Sequence, residues 1–252
     1  MITISPGHWL PGTGASDLID EVTEARKVVK RVVEILRANK ITTNHVVDDS
    51  SKNQSQNLKY LVNEHNSTSR ELDVSIHFNS SSRTDRGVGV EVLYLTIKDV
   101  AAKISKAISD VSGLINRGAK LRKDLAFLNG TNKPAILIEV CFVSSTADTA
   151  IYKRKFEEIC YAIAECLVEF VGKSLNANAK ESDEIMAFSS PSLKAETELT
   201  LNSKARLTMI VEAAIKAGAH ESWRQKHENR EMTEDDYKGL ALKAIIDPQL
   251  KK

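Results

Sequence analysis

Three observations predict an α/β fold with a mostly parallel twisted sheet flanked by helices, followed by a small all-α C-terminal domain. Over residues 1–172, β-branched runs alternate with segments whose apolar residues recur at the helical period. One of these runs, Ala135-Ile-Leu-Ile-Glu-Val140, is almost continuously apolar, as the middle strand of a parallel sheet must be. Beyond Val171 the strand signal stops and only helical spacing remains.

The elements follow in order. Ile2-Thr-Ile4 is a short strand that ends in the breaker cluster Ser5-Pro6-Gly7. A Gly-containing loop leads to a helix over about Leu18–Ala38, with Val22, Ala25, Val29, Val32, Val33 and Leu36 on one face. Asp17 is its expected N-cap, and Asp20 and Glu21 form an acidic first turn. Thr42–Val47 reads as a strand and Ser51–His65 as a helix turning Leu58, Leu61 and Val62 inward. Leu72–His77 and Gly87–Tyr94 are strands. Asp99–Leu114 is a helix, Ala135–Val140 the central strand, and Thr149–Val171 one long helix. The polar stretch from Gly172 to Asp183 reads as a linker. The tail carries three helical patterns: one started by Ser190-Pro191, one over Ala205–Ala217, and one over Thr233–Ile246 that opens on a capping-box-like Thr233-Glu-Asp-Asp236. The expected domains are therefore 1–172, a linker over 173–188, and a helical module over 189–252.

Composition excludes several classes. The 252 residues are 42% apolar, enough for a sizeable core. Lys and Arg number 35 against 34 Asp and Glu, so no basic excess supports a general nucleic-acid binder. No apolar run approaches a membrane span, so no membrane insertion is expected. Three cysteines without C-x-x-C spacing suit neither a disulfide scaffold nor a zinc knuckle. The amino terminus, MITISPGHWLPG, lacks the basic and apolar regions of a secretory leader. The expectation is a protein made in the cytoplasm of its host.

Histidine is scarce, six residues in all, and two of them sit at strand ends: His8 directly follows one in Ser5-Pro-Gly-His8, and His77 closes another in Ser75-Ile-His77-Phe-Asn79. Functional side chains of open α/β sheets gather there. Either histidine alone is an ordinary turn residue; the pair in equivalent positions points to metal ligation by imidazole. His45 inside a strand, His65 at a helix end, and His220 and His227 on charged helix faces need no functional role. A third ligand should be a carboxylate or another histidine. Asp20, Glu21 and Glu24 open the first helix, and spacing alone leaves Glu21 and Glu24 equal. Glu139 lies inside an apolar run, where a carboxylate must be paired, protonated or metal-linked. Glu91 alternates with Val90 and Val92 and reads as a solvent-facing strand position. Two His, a Glu and a second Glu are the parts of a zinc hydrolase. The metal activates water at an open position, and a separate carboxylate carries the proton.

Ser-Pro-Gly-His8 with a downstream Glu, Ser75-Ile-His-Phe-Asn79 and Ile138-Glu-Val-Cys-Phe142 resemble the zinc-dependent N-acetylmuramoyl-L-alanine amidases of the Amidase_3 type. Asn116-Arg-Gly-Ala-Lys120, Lys123-Asp-Leu125 and Phe127-Leu-Asn129 add a likeness to the catalytic domains of Listeria, Bacillus and Clostridium phage endolysins. The resemblance covers about residues 1–171. It implies cleavage of the amide between N-acetylmuramic acid and L-alanine in peptidoglycan. It also implies Zn2+ held by His8, Glu21 and His77, Glu139 as catalytic base, and Asn79 and Arg117 as substrate contacts. Ser5 departs from the Asp that many members carry there, which should weaken a supporting hydrogen bond without removing a ligand.

The tail resembles short helical modules of Bacillus phage lysins and cell-wall proteins, so wall-polymer binding or homodimerisation is expected of it. An endolysin would reach the wall through a holin-type pore. Two other readings remain: a zinc carboxypeptidase or endopeptidase acting on wall peptides, with Arg86, Arg117 or Lys120 as carboxylate clamp, and an inactive peptidoglycan-binding protein.

Overall fold

The computed structural model describes residues 1–175, 204–229, 231–233, 236–237, 239–241 and 243. The chain divides into two compact units, Met1–Ser182 and Asp183–Lys252.

In the first unit β1 (Ile2–Pro6), β2 (Thr43–His45), β3 (Leu72–Asn79), β4 (Val90–Tyr94), β5 (Asn116–Leu121) and β6 (Ala135–Phe142) form one sheet in the order β2-β1-β3-β6-β4-β5. Every neighbouring pair is parallel except β4 and β6. The helices are α1 (Glu21–Ala38), α2 (Gln54–Asn66), α3 (Lys98–Ser112), α4 (Ala126–Gly130), α5 (Thr146–Arg154) and α6 (Phe156–Phe170).

Strand alternation gives the sheet two unlike faces. Ile2, Ile4, Val74, Ile76, Phe78, Ile136, Ile138 and Val140 pack with Val29 and Val32 of α1, Ile104 and Ile108 of α3, and Ile163 and Leu167 of α6 in the main core. The alternate positions are largely polar: Thr3, Ser5, Asp73, Ser75, His77, Glu91 and Glu139. α2 and α4 lie against this side, where Phe127, Leu128, Leu93 and Leu137 form a smaller cluster. Beneath α2 the polar positions satisfy one another. His65 is fully buried between Asp73 Oδ1 at 2.8 Å and Ser5 Oγ at 3.1 Å, and Arg70 donates twice to Asp73.

Several sequence expectations are corrected here. The first helix begins at Glu21, and its N-cap is Asp20, whose Oδ1 accepts from Thr23 N at 2.8 Å. Asp17 instead pairs with Arg83. The single helix expected over Thr149–Val171 is two helices meeting at Lys155, which leaves the helical region (φ −113°, ψ 21°). No Gly or Pro marks the break, so the periodicity runs through it. β5 and α4 escaped notice: β5 is a polar edge strand, and α4 has only five residues. His65 lies in the last turn of α2, as expected, but is fully buried and hydrogen-bonded there, and Glu91 is buried rather than solvent-facing. Ser5 serves His65, away from the metal-ligand candidates.

The described part of the second unit is helical: α7 (Lys204–Lys216) and α8 (Ser222–Glu228), the latter unforeseen. Val211, Ala214, Tyr237 and Leu240 form its core. His227 lies within hydrogen-bond distance of both Thr208 Oγ1 (2.8 Å) and Tyr237 Oη (2.7 Å), so it is more than a solvated helix-face residue. The capping box is present: Thr233 N donates to Asp236 Oδ2, and Asp236 N donates to Thr233 Oγ1. The helix start at Ser190-Pro191 and most of the expected linker fall outside the described residues, as does the end of the helix expected over Thr233–Ile246.

Candidate metal centre and active site

Three elements converge at the carboxyl ends of β1 and β3. β1 runs into Gly7 and His8, and His8 adopts a left-handed backbone (φ 62°), rare for a residue with a Cβ. Gly7 has to be glycine, because a Cβ there would fall 2.0 Å from the His77 ring. β3 delivers His77, and the first residue of α1 delivers Glu21. One ligand atom from each of His8, Glu21 and His77 lies within 4.8 Å of the other two.

The carboxylate is the hub. Glu21 Oε1 is 2.9 Å from His77 Nδ1 and accepts from Phe78 N at 3.1 Å. Its Oε2 is 3.2 Å from His8 Nε2 and accepts from Ala15 N at 2.7 Å. Burial acts to raise the Glu21 carboxyl, but the hydrogen bonds and charges of His77 and His8 outweigh it and hold the group well below the usual carboxylate range. The loop crosses close above: a Cβ on Gly14 would meet Glu21 Oε2 at 2.6 Å. The side chain of Glu21 is almost sealed, whereas both imidazoles keep about a fifth of their surface open. Two imidazole nitrogens and a carboxylate on a partly open wall are one of the donor sets that suit a catalytic zinc ion.

The structure separates the two glutamates that spacing leaves equal. Glu24, one turn along α1, accepts from Tyr152 Oη at 2.9 Å and from Lys27 Nζ at 2.8 Å, and lies outside the cluster.

Glu139 stands on β6 directly opposite His77 on β3 and opposite Glu91 on β4. Its Oε2 is sealed from solvent and, among the described residues, has no hydrogen-bond partner. Burial, reinforced by the negative charges of Glu21 and Glu91, pushes its carboxyl up to about 8. Asn79 and Arg117 meet on Glu91: Asn79 Nδ2 donates at 2.9 Å and Arg117 Nε at 2.7 Å. Arg117 also lies over the Phe142 ring. Sequence reasoning missed this use of Glu91. The signal was present, since Glu91 is a lone carboxylate between two valines, like Glu139.

Comparisons with known proteins bear on these residues. The Amidase_3 family model, N-acetylmuramoyl-L-alanine amidase, matches residues 2–169. An uncharacterized 38.4 kDa protein of Clostridium perfringens is 33% identical over 186 residues, which is 70% of this chain and 53% of that protein. A second uncharacterized protein, from C. perfringens strain 13 / Type A, is 31% identical over 212 residues, 81% of this chain and 60% of its own length. The chain thus spans little more than half the length of these curated relatives. Among solved structures, the catalytic domain of the CD27L endolysin targeting Clostridia difficile superposes with a TM-score of 0.62 at 27% identity, covering 69% of this chain and 98% of that one. An N-acetylmuramoyl-L-alanine amidase from Clostridium difficile 630 shares the fold, with a TM-score of 0.59 at 21% identity over 68% of this chain and 96% of that one.

Proposed function

Because the chain belongs to the Amidase_3 family of N-acetylmuramoyl-L-alanine amidases, we propose that it hydrolyses the amide between N-acetylmuramic acid and L-alanine in peptidoglycan, with zinc held by His8, Glu21 and His77. One observation carries the reading. The unpartnered Oε2 of Glu139 occupies the strand position paired with His77, beside a cluster of zinc-type donors. Bound zinc supplies Lewis-acid polarisation of the scissile carbonyl and makes water more acidic.

The remaining steps belong to the chain. Glu21 fixes both imidazoles through its two oxygens. Glu139 takes the proton of the attacking water and delivers it to the leaving amine of L-alanine, and a carboxyl raised by burial is suited to both halves of that transfer near neutral pH. Asn79 and Arg117, anchored on Glu91, border the path of the stem peptide. The biological role proposed is that of a phage or prophage endolysin; the likeness to the catalytic domain of an endolysin supports it.

The test is product analysis by mass spectrometry of purified walls digested with the protein. Muropeptides with a newly freed L-alanine amino group are expected, with loss of activity in chelator and recovery on adding zinc. Release of a terminal D-amino acid, or undiminished turnover in a zinc-free preparation, would overturn the proposal.

A further inference from the structure

The left-handed backbone at His8 has to be held in place. A non-glycine residue in that region is disfavoured by about 1 kcal/mol or more, so surrounding contacts must over-determine it. Two successive carbonyls of the turn are captured. Asn57 Nδ2, from α2, donates to His8 O at 3.2 Å. Arg26 Nη2, from α1, donates to Trp9 O.

Both donors rest on one residue. Asn57 Nδ2 also donates to Asp48 Oδ2 at 2.9 Å, and Arg26 Nη2 also donates to Asp48 O at 3.0 Å. Asp48 is itself locked, because its Oδ1 accepts from Ser50 N and Ser51 N. Asn57 and Asp48 are 2% and 1% exposed. A hydrogen-bonded strut therefore runs from the turn after β2 through the Asn57 amide to the peptide of His8. The imidazole of His8 meets only Glu21 among the cluster's hydrogen-bonding groups. Glu21 holds the outer nitrogen of that ring and His77 packs edge-on against it, while the captured backbone sets the position from which the ring reaches them.

We propose that Asn57 is a positioning residue that locks the His8 peptide in its left-handed form and so presets the metal-binding triangle. This rests on the reading of His8 as a ligand. Relaxation of the peptide to negative φ would carry the imidazole away from Glu21 and His77, and the site would have to be rebuilt each time an ion bound. Supporting partners of metal ligands typically change metal affinity by about 10- to 100-fold, and Asn57→Ala should fall in that range.

The experiment is a zinc competition titration against a chromophoric chelator, with thermal unfolding of the metal-free protein as the parallel measurement. Wild type, His8→Ala, Asn57→Ala and Asn39→Ala are compared. Asn39 is another buried asparagine whose Nδ2 donates to a backbone carbonyl, Ile35 O at 2.9 Å. It lies eighteen residues along α1 from Glu21, about 27 Å at the helical rise. The expected result is that Asn57→Ala weakens zinc affinity at least tenfold, while Asn39→Ala loses a comparable amount of thermal stability with affinity unchanged. If Asn57→Ala does not fold, Asn57→Ser replaces it; its hydroxyl is too short to span His8 O and Asp48, and the same loss is expected. Affinity within twofold of wild type in either folded variant overturns the proposal. Weak zinc binding by wild type itself, or wild-type affinity in His8→Ala, overturns the ligand reading instead.

Discussion

Glu139 faces two opposed demands. A base needs an available lone pair, yet Glu139 is buried, and two further carboxylates, Glu21 of α1 and Glu91 of β4, add their negative charge. Its proton is consequently retained to about pH 8 in the folded chain, against a usual value of 4.5. The folded state then binds more protons than the unfolded one between those limits, so stability falls as pH rises through the window. In metal-free protein, Glu139→Gln removes that dependence. Its stability should exceed that of wild type by a margin that grows from pH 5 to pH 8 and reaches at least ~1 kcal/mol, since each pKa unit is worth about 1.4 kcal/mol. Urea unfolding at the two pH values measures it. In the zinc-loaded enzyme the same substitution should keep the metal while turnover drops by roughly two to four powers of ten. Metal loss in Glu139→Gln would make Glu139 a ligand. A pH-independent stability difference would mean that its carboxyl is not raised.

At the scale of elements, α1 organises the site, and its first residues do so through the cap. Asp20 Oδ1 accepts from Thr23 N, while its Oδ2 accepts from Gly12 N in the loop after His8. Asp20→Ala should therefore cost about 1–2 kcal/mol, the upper part of the range for a lost N-cap. Asp17→Ala removes only a partly exposed pair with Arg83 and should cost under about 1 kcal/mol. Equal losses in urea unfolding would return the helix start to Asp17. The mistaken cap shows where the sequence stops being legible. Asp17 and Asp20 are both good caps three residues apart, and the tight turn bridged between Ser16 and Asp20, which periodicity does not reveal, chooses between them. Period and β-branching made the central strands visible because burial dictated them. β5 and the break at Lys155 were invisible because an edge strand need not be apolar, and a helix can change direction without Gly or Pro. The site was legible where chemistry is scarce: six histidines, and one glutamate in an apolar strand. Glu91 was misread because alternation with valines fits a solvent-facing position as well as a buried one, and only the folded chain brings Asn79 of β3 and Arg117 of β5 to its carboxylate.

At the scale of the whole chain, the first unit contains a core of its own. The main cluster runs from Ile2 to Val168, with Val171 and Leu175 packed against it. Among its described residues the second unit has a small core, Val211, Ala214, Tyr237 and Leu240, with Met209 largely exposed. A unit of that size is marginal by itself, so binding a wall polymer or another copy of itself is the role proposed for it. A chain ending at Leu175 should fold, bind zinc and cleave soluble muropeptides at the full-length rate. If the second unit targets the wall, the shortened chain should lose activity on intact cells far more than on soluble fragments. If the second unit dimerises, the shortened chain should sediment as a monomer and the full chain should not. An insoluble shortened chain would mean that the helical unit completes the core of the first, and the division into a catalytic and an accessory domain would be wrong.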